Sequence, residues 1–184
     1  MSGEMERVLL THCAPTLAGL KTGNLINCPV GAGEDIEGEV AALNRKLNPR
    51  GVQVRLLARK ENGALIYVYR PGRLSRDLAG GAAELLCRKG YPAPDAERCL
   101  RCLAGRLGEG GFPHEIGLFL GYPLQDVLGF IENRGQGSKL VGTWKVYGDE
   151  EAARRTFARY KKCTAVYSRC LKEGTPLEKL AVRA

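Results

Sequence analysis

The chain has 184 residues, 44% of them hydrophobic, and a formal net charge of +8, which predicts one globular domain over residues 1–184 with a sizeable core. No apolar run reaches the roughly 18 to 20 residues of a membrane helix, and the first residues lack a signal-peptide layout. We therefore expect a cytoplasmic protein without a membrane partner, whose seven cysteines are mostly reduced thiols.

The first half of the chain shows a clear hairpin signal. Asn62-Gly63 separates two runs rich in β-branched and aromatic residues, and this dipeptide is the strongest short signal for a β-hairpin. Proline suits the first position of a helix, so a helix is expected to begin at Pro15. The predicted elements are, in order, a loop at 24–33, a helix at 34–47 and strands at 52–58 and 64–69.

The second half is predicted to be mainly helical. Its elements are helices at 74–89 and 95–107, two short helices within 113–133, a strand at 139–147 and a long helix after Asp149, a residue that can cap it. The strand rests on the alternation of Leu140, Gly142, Trp144 and Val146 with polar residues. The order predicts an α+β fold, with helices packed around a small, mostly antiparallel sheet of about three strands.

The final helix is strongly basic. Residues 134–184 contain 12 Lys and Arg against 5 Asp and Glu, whereas residues 1–133 contain 16 against 15. Such a helix can contact phosphates or an acidic protein, although a solvated helix face explains the charges equally well. The predicted contacts to a nucleic-acid or acidic partner are Arg154, Arg155, Arg159, Lys161 and Lys162.

The stretch PHEIGLFLGYPLQDVLGFI, residues 113–131, is typical of two short helices joined by a tight turn at 121–123. Its apolar spacing resembles a helix-turn-helix, whose second helix would read DNA in the major groove. Asp126 and Glu132 on that second helix would repel phosphates. A plain corner between core helices is the alternative, with His114 and Glu115 at its leading edge.

A cysteine and a histidine suggest a thiol enzyme. Cys13 stands just before the helix expected at Pro15, where a helix dipole favours a thiolate, and His114 follows about a hundred residues later. This is the chain order of papain-like enzymes, although their signature around the cysteine is absent. Cys13 would be the nucleophile, His114 its base, and Glu115 or Asp126 the orienting acid. A structural role for each residue remains the alternative.

Polar residues near the same motifs are candidate contacts to a small-molecule or peptide substrate. Asn24 could also contribute to an oxyanion hole. The candidates are His12, Thr16, Lys21, Asn24, Arg70 and Tyr122.

No metal site or phosphate loop is predicted. Cys99 and Cys102 form a single CxxC without a second pair at zinc spacing, and the glycine-rich stretches lack the Lys-Ser/Thr of a phosphate loop. Ligation of iron or haem through His12, Cys13 or His114 stays open, so no cofactor is assigned.

Four motifs together resemble one family of small bacterial proteins of unknown function, found mainly in anaerobic Firmicutes. They are HCAPTLAGLKTGNLINC, YVYRPGRL, PHEIGLFLGYPLQDVLGFIENRG and GTWKVYGDEEAARRTFARYKKCT. The resemblance covers nearly the whole chain, and it makes His12, Cys13, His114 and Glu115 part of the family pattern. It implies one cytosolic domain and no particular activity. The resemblance also implies an association with flavodoxin-like or iron-related genes, which favours a redox or metal-linked role as a further alternative.

Overall fold

The computed structural model describes residues 2–31, 34–61, 63–109 and 112–183. The strands are β1 (Gly23–Cys28), β2 (Gln53–Lys60), β3 (Gly63–Tyr69), β4 (Leu140–Val141) and β5 (Lys145–Val146). The helices are α1 (Ser2–His12), α2 (Ala14–Leu17), α3 (Ile36–Leu47), α4 (Pro71–Asp77), α5 (Gly81–Arg88), α6 (Ala96–Gly108), α7 (Ile116–Phe119), α8 (Leu124–Glu132), α9 (Glu150–Lys172) and α10 (Leu177–Leu180). A short 3-10 turn, Asn48–Arg50, follows α3.

The main sheet has the order β1-β3-β2, and both neighbouring pairs are antiparallel. β2 and β3 form the predicted hairpin, in which Lys60 pairs with Gly63; Asn62 lies outside the described residues. Every residue of β3 is buried because this central strand is covered on both faces. The predicted α+β fold with a small antiparallel sheet of three strands is confirmed.

The loop predicted from residue 24 onward is wrong at its start, because residues 23–28 form the edge strand β1. The sequence predicts a loop from residue 24 onward, but β1 pairs with β3 along its whole length, from Gly23 opposite Tyr69 to Cys28 opposite Ala64. Two asparagines give this segment a weak strand propensity, which pairing with a neighbouring strand overrides.

The predicted strand at 139–147 is also wrong. These residues form a separate hairpin in which β4 pairs with β5, Leu140 opposite Val146, and neither strand joins the main sheet. The apolar residues Trp144 and Val146 pack against α9 instead. The predicted helix at 74–89 divides into α4 and α5 because Gly80, with φ of +57°, interrupts it.

Alternate residues of β3 enter two different cores. Ala64, Ile66 and Val68 pack with α1, α2, α3 and the C-terminal part of α9. Leu65, Tyr67 and Tyr69 pack on the other face with α4 to α8. This alternation follows from the pleat of a strand, whose successive side chains point to opposite faces.

The predicted corner at 113–133 is confirmed. α7 and α8 are joined by a turn in which Gly121 has a φ of +75°. However, α8 buries Asp126, Val127 and Gly129, and the ring of Tyr147 lies directly against Gly129. The segment around β5 thus covers one side of α8, whereas Gln125 and Glu132 are exposed. The helix-turn-helix alternative stays a prediction.

The long helix α9 begins as predicted, since the side chain of Asp149 accepts a hydrogen bond of 2.9 Å from the backbone N–H of Ala152. Its first half packs against the β4–β5 hairpin, and the helix also contacts α1 and α2. Among the described helices, none combines the length and the apolar character needed to cross a membrane.

Candidate functional site

Cys13 lies inside the first core. Its side chain is fully buried with Leu9, Leu17 and Ile26, and α2, which it precedes, is only four residues long. Burial raises the pKa of the Cys13 thiol to about 12. A thiolate is therefore strongly disfavoured at neutral pH.

His114 does not meet Cys13. The imidazole is exposed and packs edge-on against the ring of Phe130, with 5.1 Å between ring centroids. Ile116, Leu118 and Phe119, which follow it in the chain, belong to the core on the opposite face of the sheet from Cys13. The structure thus does not bring the predicted nucleophile and base together.

The two candidate orienting acids bind other partners. Glu115 is buried and forms a salt bridge of 3.1 Å with Nη1 of Arg106, whose guanidinium lies over the ring of Tyr91. Asp126 accepts hydrogen bonds from Trp144 Nε1 and from the backbone N–H groups of Tyr147 and Gly148. Neither contacts His114 through a hydrogen bond in the part of the chain described, so both have structural roles here.

Arg70 is also structural. Its fully buried guanidinium donates to the backbone carbonyls of Thr16 at 2.7 Å, Leu17 at 2.6 Å and Val182 at 2.7 Å. These bonds close the end of α2 and hold the C-terminal segment. The N–H groups that make these bonds are directed at backbone carbonyls and not at a pocket. Arg70 is therefore poorly placed for the predicted contact to a substrate.

Other predicted contacts do converge. His12, Lys21 and Asn24 line one open pocket of about 510 Å³ together with α9 and the β4–β5 turn; we call it the Lys21 pocket. Thr16 lies beneath it and donates to Asn24 Oδ1 at 2.7 Å. With its oxygen held by Thr16, the amide of Asn24 has its Nδ2–H groups left to donate. The remaining lining residues are Pro15, Thr143, Phe157, Tyr160, Lys161, Thr164, Ala165 and Ser168.

Lys21 is the unusual member of this pocket. Only 4% of the residue is exposed, and it forms no salt bridge with the residues that the structure describes. Its Nζ lies 5.4 Å from the centroid of the Tyr122 ring. Burial lowers the pKa of Lys21 from 10.5 to about 8, because desolvation disfavours the charged form.

The wall contributed by α9 was not predicted. The sequence predicts a helical apolar face with Phe157, Tyr160 and Thr164, and a partner surface that includes Lys161. Together with Ser168 they form a stripe at helical spacing that mixes aromatic, hydroxyl and ammonium groups. That mixture is the signal in the sequence that favours a pocket wall over a plain core face.

Tyr122 and His114 line a second cavity of about 530 Å³. Residues 141–145 of the β4–β5 hairpin line it as well, and its walls are mainly aromatic and aliphatic, including Phe130 and Trp144. The Tyr122 ring stacks on Trp144 at 4.9 Å, which in turn packs edge-on against Phe157 of the Lys21 pocket. These three rings therefore stand between the two cavities.

The basic residues predicted on α9 are all exposed, but they differ in their pairing. Arg154 and Arg155 form salt bridges with Glu150 and Glu151 one turn earlier. The other three, Arg159, Lys161 and Lys162, form none with the described residues. Among the predicted contacts, the positive charges of α9 without a carboxylate partner in the described residues are therefore those of Arg159, Lys161 and Lys162.

Nowhere in residues 2–31, 34–61, 63–109 and 112–183 do three or more His, Cys, Asp or Glu side chains cluster closely enough to hold a metal ion. The redox- or iron-linked alternative stays a prediction.

A family of sequences described as "Protein of unknown function (DUF3793)" matches residues 9–181, nearly the whole chain. No curated protein and no solved structure matches this chain.

Proposed function

We propose, for a chain that belongs to the DUF3793 family of proteins of unknown function, that the Lys21 pocket binds a small anionic molecule carrying a carboxylate or phosphate group. One observation carries the proposal. A buried lysine lines a pocket that contains a second ammonium group, that of Lys161, and no carboxylate among its described lining residues.

Lys21 has no carboxylate partner among the described residues. Taking an ammonium group out of water is unfavourable unless an opposite charge or hydrogen-bond acceptors replace the water. Among the described residues, Lys21 has no salt bridge, and its Nζ faces the Tyr122 ring. A bound anion would supply the counter-charge, and buried groups of this kind concentrate at functional sites for that reason.

The neutral groups of the pocket suit the same ligand. Asn24 can donate through its amide, and Thr143, Tyr160, Thr164 and Ser168 carry hydroxyl groups. Such donors fix the orientation of an anion without adding charge. The Cys13 thiol does not line the pocket, so the proposal involves no thiolate chemistry.

The experiment compares two neighbouring lysines. Inorganic phosphate, pyrophosphate and citrate are titrated into the wild type by calorimetry at constant ionic strength. Lys161→Met should weaken binding by about tenfold, or 1.4 kcal/mol, and Lys21→Met should weaken it further because its charge is less exposed to water. The matched control is Lys162→Met, an exposed neighbour that does not line the pocket. It should bind like the wild type.

Two results would contradict the proposal. Equal losses in Lys161→Met and Lys162→Met would place the anion on the outer surface of α9. Absence of binding by all three anions at millimolar concentration would leave the pocket without the expected ligand class.

A second candidate function is non-specific binding of nucleic acid by the outer surface of α9. It is supported by Arg159, Lys161 and Lys162, which are exposed and form no salt bridge with the described residues. Three phosphate contacts predict a slope of about −3 when log K is plotted against log salt concentration. Fluorescence anisotropy with a short duplex measures it. Lys162→Met should reduce the slope by about 1, and no binding at low salt would eliminate this candidate.

A further inference from the structure

We infer that the side-chain amine of Lys21 forms a reversible imine with a carbonyl compound that carries an anionic group, a 2-oxo acid being the simplest class. This inference rests on the proposed anion binding and names the ligand of the same pocket more closely.

The depth of the pocket separates two ammonium groups. Lys161 and His12 are exposed, whereas Lys21 is buried. All three line the same cavity of about 510 Å³. A ligand whose anionic group is held by Lys161 at the rim would therefore extend its other end inward, toward the Lys21 amine.

The surroundings of Lys21 leave its nitrogen available. An ion pair with a carboxylate would hold a lysine in the protonated, unreactive form, and Lys21 has none among the described residues. Among the described residues, the ionisable groups that line its pocket or lie near it are His12, Cys13, Tyr122, Tyr160 and Lys161. None of them is a carboxylic acid.

The protonation state also favours a nucleophile. An imine forms only from the neutral amine, and burial lowers the pKa of Lys21 to about 8. At neutral pH the neutral fraction is then about two orders of magnitude larger than for a lysine in water. Desolvation is a recognised means of activating a lysine toward carbonyl substrates.

The step is balanced without any further reactant. The lone pair of Nζ attacks the carbonyl carbon, and a C–N bond forms as the C=O π electrons move to oxygen. One proton passes from nitrogen to that oxygen and gives a carbinolamine. The second N–H proton then passes to the hydroxyl group, which leaves as water while the nitrogen lone pair forms the C=N bond. No oxidation or reduction occurs, and addition of water reverses the reaction.

The experiment traps the imine in the wild-type protein. Pyruvate is added with sodium cyanoborohydride, whose hydride converts the imine to a stable secondary amine. The labelled side chain gains the mass of pyruvic acid less one oxygen atom, and peptide mapping locates it. The other nine of the ten lysines serve as internal controls. Near neutral pH, Lys21 should be labelled at least about tenfold faster than any of them because of its larger neutral fraction.

The outcomes separate the two proposals. One outcome is that phosphate binds in the calorimetric titration while Lys21 is labelled no faster than the other lysines. In that case the imine inference is wrong and the anion-binding proposal stands. If Lys21 is labelled selectively and phosphate neither binds nor slows the labelling, the anion proposal fails, and the imine inference, which rests on it, fails in its stated form. Lys21→Arg adds a second check. It keeps the positive charge and should still bind phosphate, while labelling at this position disappears.

Discussion

The carboxylate of Asp126 accepts a hydrogen bond from the indole N–H of Trp144 at 2.6 Å. The same carboxylate accepts from the backbone N–H groups of Tyr147 and Gly148, at 2.8 and 2.7 Å. One buried side chain on α8 thus holds both the ring and the end of the β4–β5 hairpin. Thr143, in the turn of this hairpin, lines both cavities, so Asp126 positions a shared wall.

Asp126→Ala should lower the free energy of unfolding by about 3 kcal/mol, because it leaves three N–H donors without their charged acceptor. Urea unfolding followed by the fluorescence of Trp144, the only tryptophan, measures this change. Glu132→Ala on the exposed side of α8 is the control and should be near neutral. Equal stability of the two variants would refute a structural role for Asp126.

Arg70→Lys should loosen the C-terminal segment. A lysine ammonium cannot reproduce the planar fork that reaches the carbonyls of Thr16, Leu17 and Val182. We expect a loss of about 2 to 4 kcal/mol in stability. Hydrogen exchange should also be faster at the amide of Val182, which donates to Leu17. Arg76→Lys, at an exposed position on α4, should change neither quantity.

The lowered pKa of Lys21 predicts a specific dependence of stability on pH. Between about pH 8 and 10.5 the unfolded chain retains a proton on this lysine that the folded chain has lost. Raising the pH through this range therefore stabilises the folded state, by up to roughly 3 kcal/mol. Lys21→Met removes this contribution, so its stability relative to the wild type should be highest near neutral pH and fall as the pH rises.

This comparison needs a control because tyrosines and cysteines titrate in the same range. Urea unfolding of Lys162→Met at the same pH values provides it, and the difference from the wild type should stay constant. A constant difference for Lys21→Met as well would show that Lys21 is solvated like an ordinary lysine.

Cysteine alkylation distinguishes the thiol hypothesis from the present proposal. Cys87 is exposed, whereas Cys13 is buried and its thiol pKa is raised to about 12. With iodoacetamide at neutral pH, Cys87 should react about a hundredfold faster or more than Cys13 in the folded protein. Comparable rates would instead support Cys13 as an accessible nucleophile.

Local chemistry in the sequence predicted part of the fold well. The hairpin between β2 and β3, the corner at Gly121 and the cap at Asp149 each depend on one or two residues with specific backbone preferences. Whether β1 and the β4–β5 hairpin form, and which strand each pairs with, depends instead on the segment that packs beside them in space. An alternating pattern indicates an extended chain with one buried side, but it does not say what covers that side.

The site divides in the same way. His12, Lys21 and Asn24 lie within one short motif, so their proximity could be predicted. Their opposite wall comes from α9, more than a hundred residues later, and no spacing in the sequence relates the two. The prediction that Cys13 pairs with His114 depends on their order along the chain. Two residues in this order can lie on opposite faces of a sheet as well as in one site.

The contacts of Arg70 also bear on the order of folding. Its guanidinium binds carbonyls 54 and 53 positions earlier in the chain and one 112 positions later, and no carboxylate pairs with it among the described residues. The carbonyl of Arg50, 20 positions earlier, accepts a longer bond of 3.4 Å. Most of the hydrogen bonds to this charge therefore form after distant segments have met, and closing such long loops is slow. A partly assembled chain would bury an unsatisfied cation. The acquisition of the C-terminal segment should therefore be a late, cooperative step, with few stable intermediates that contain a buried Arg70.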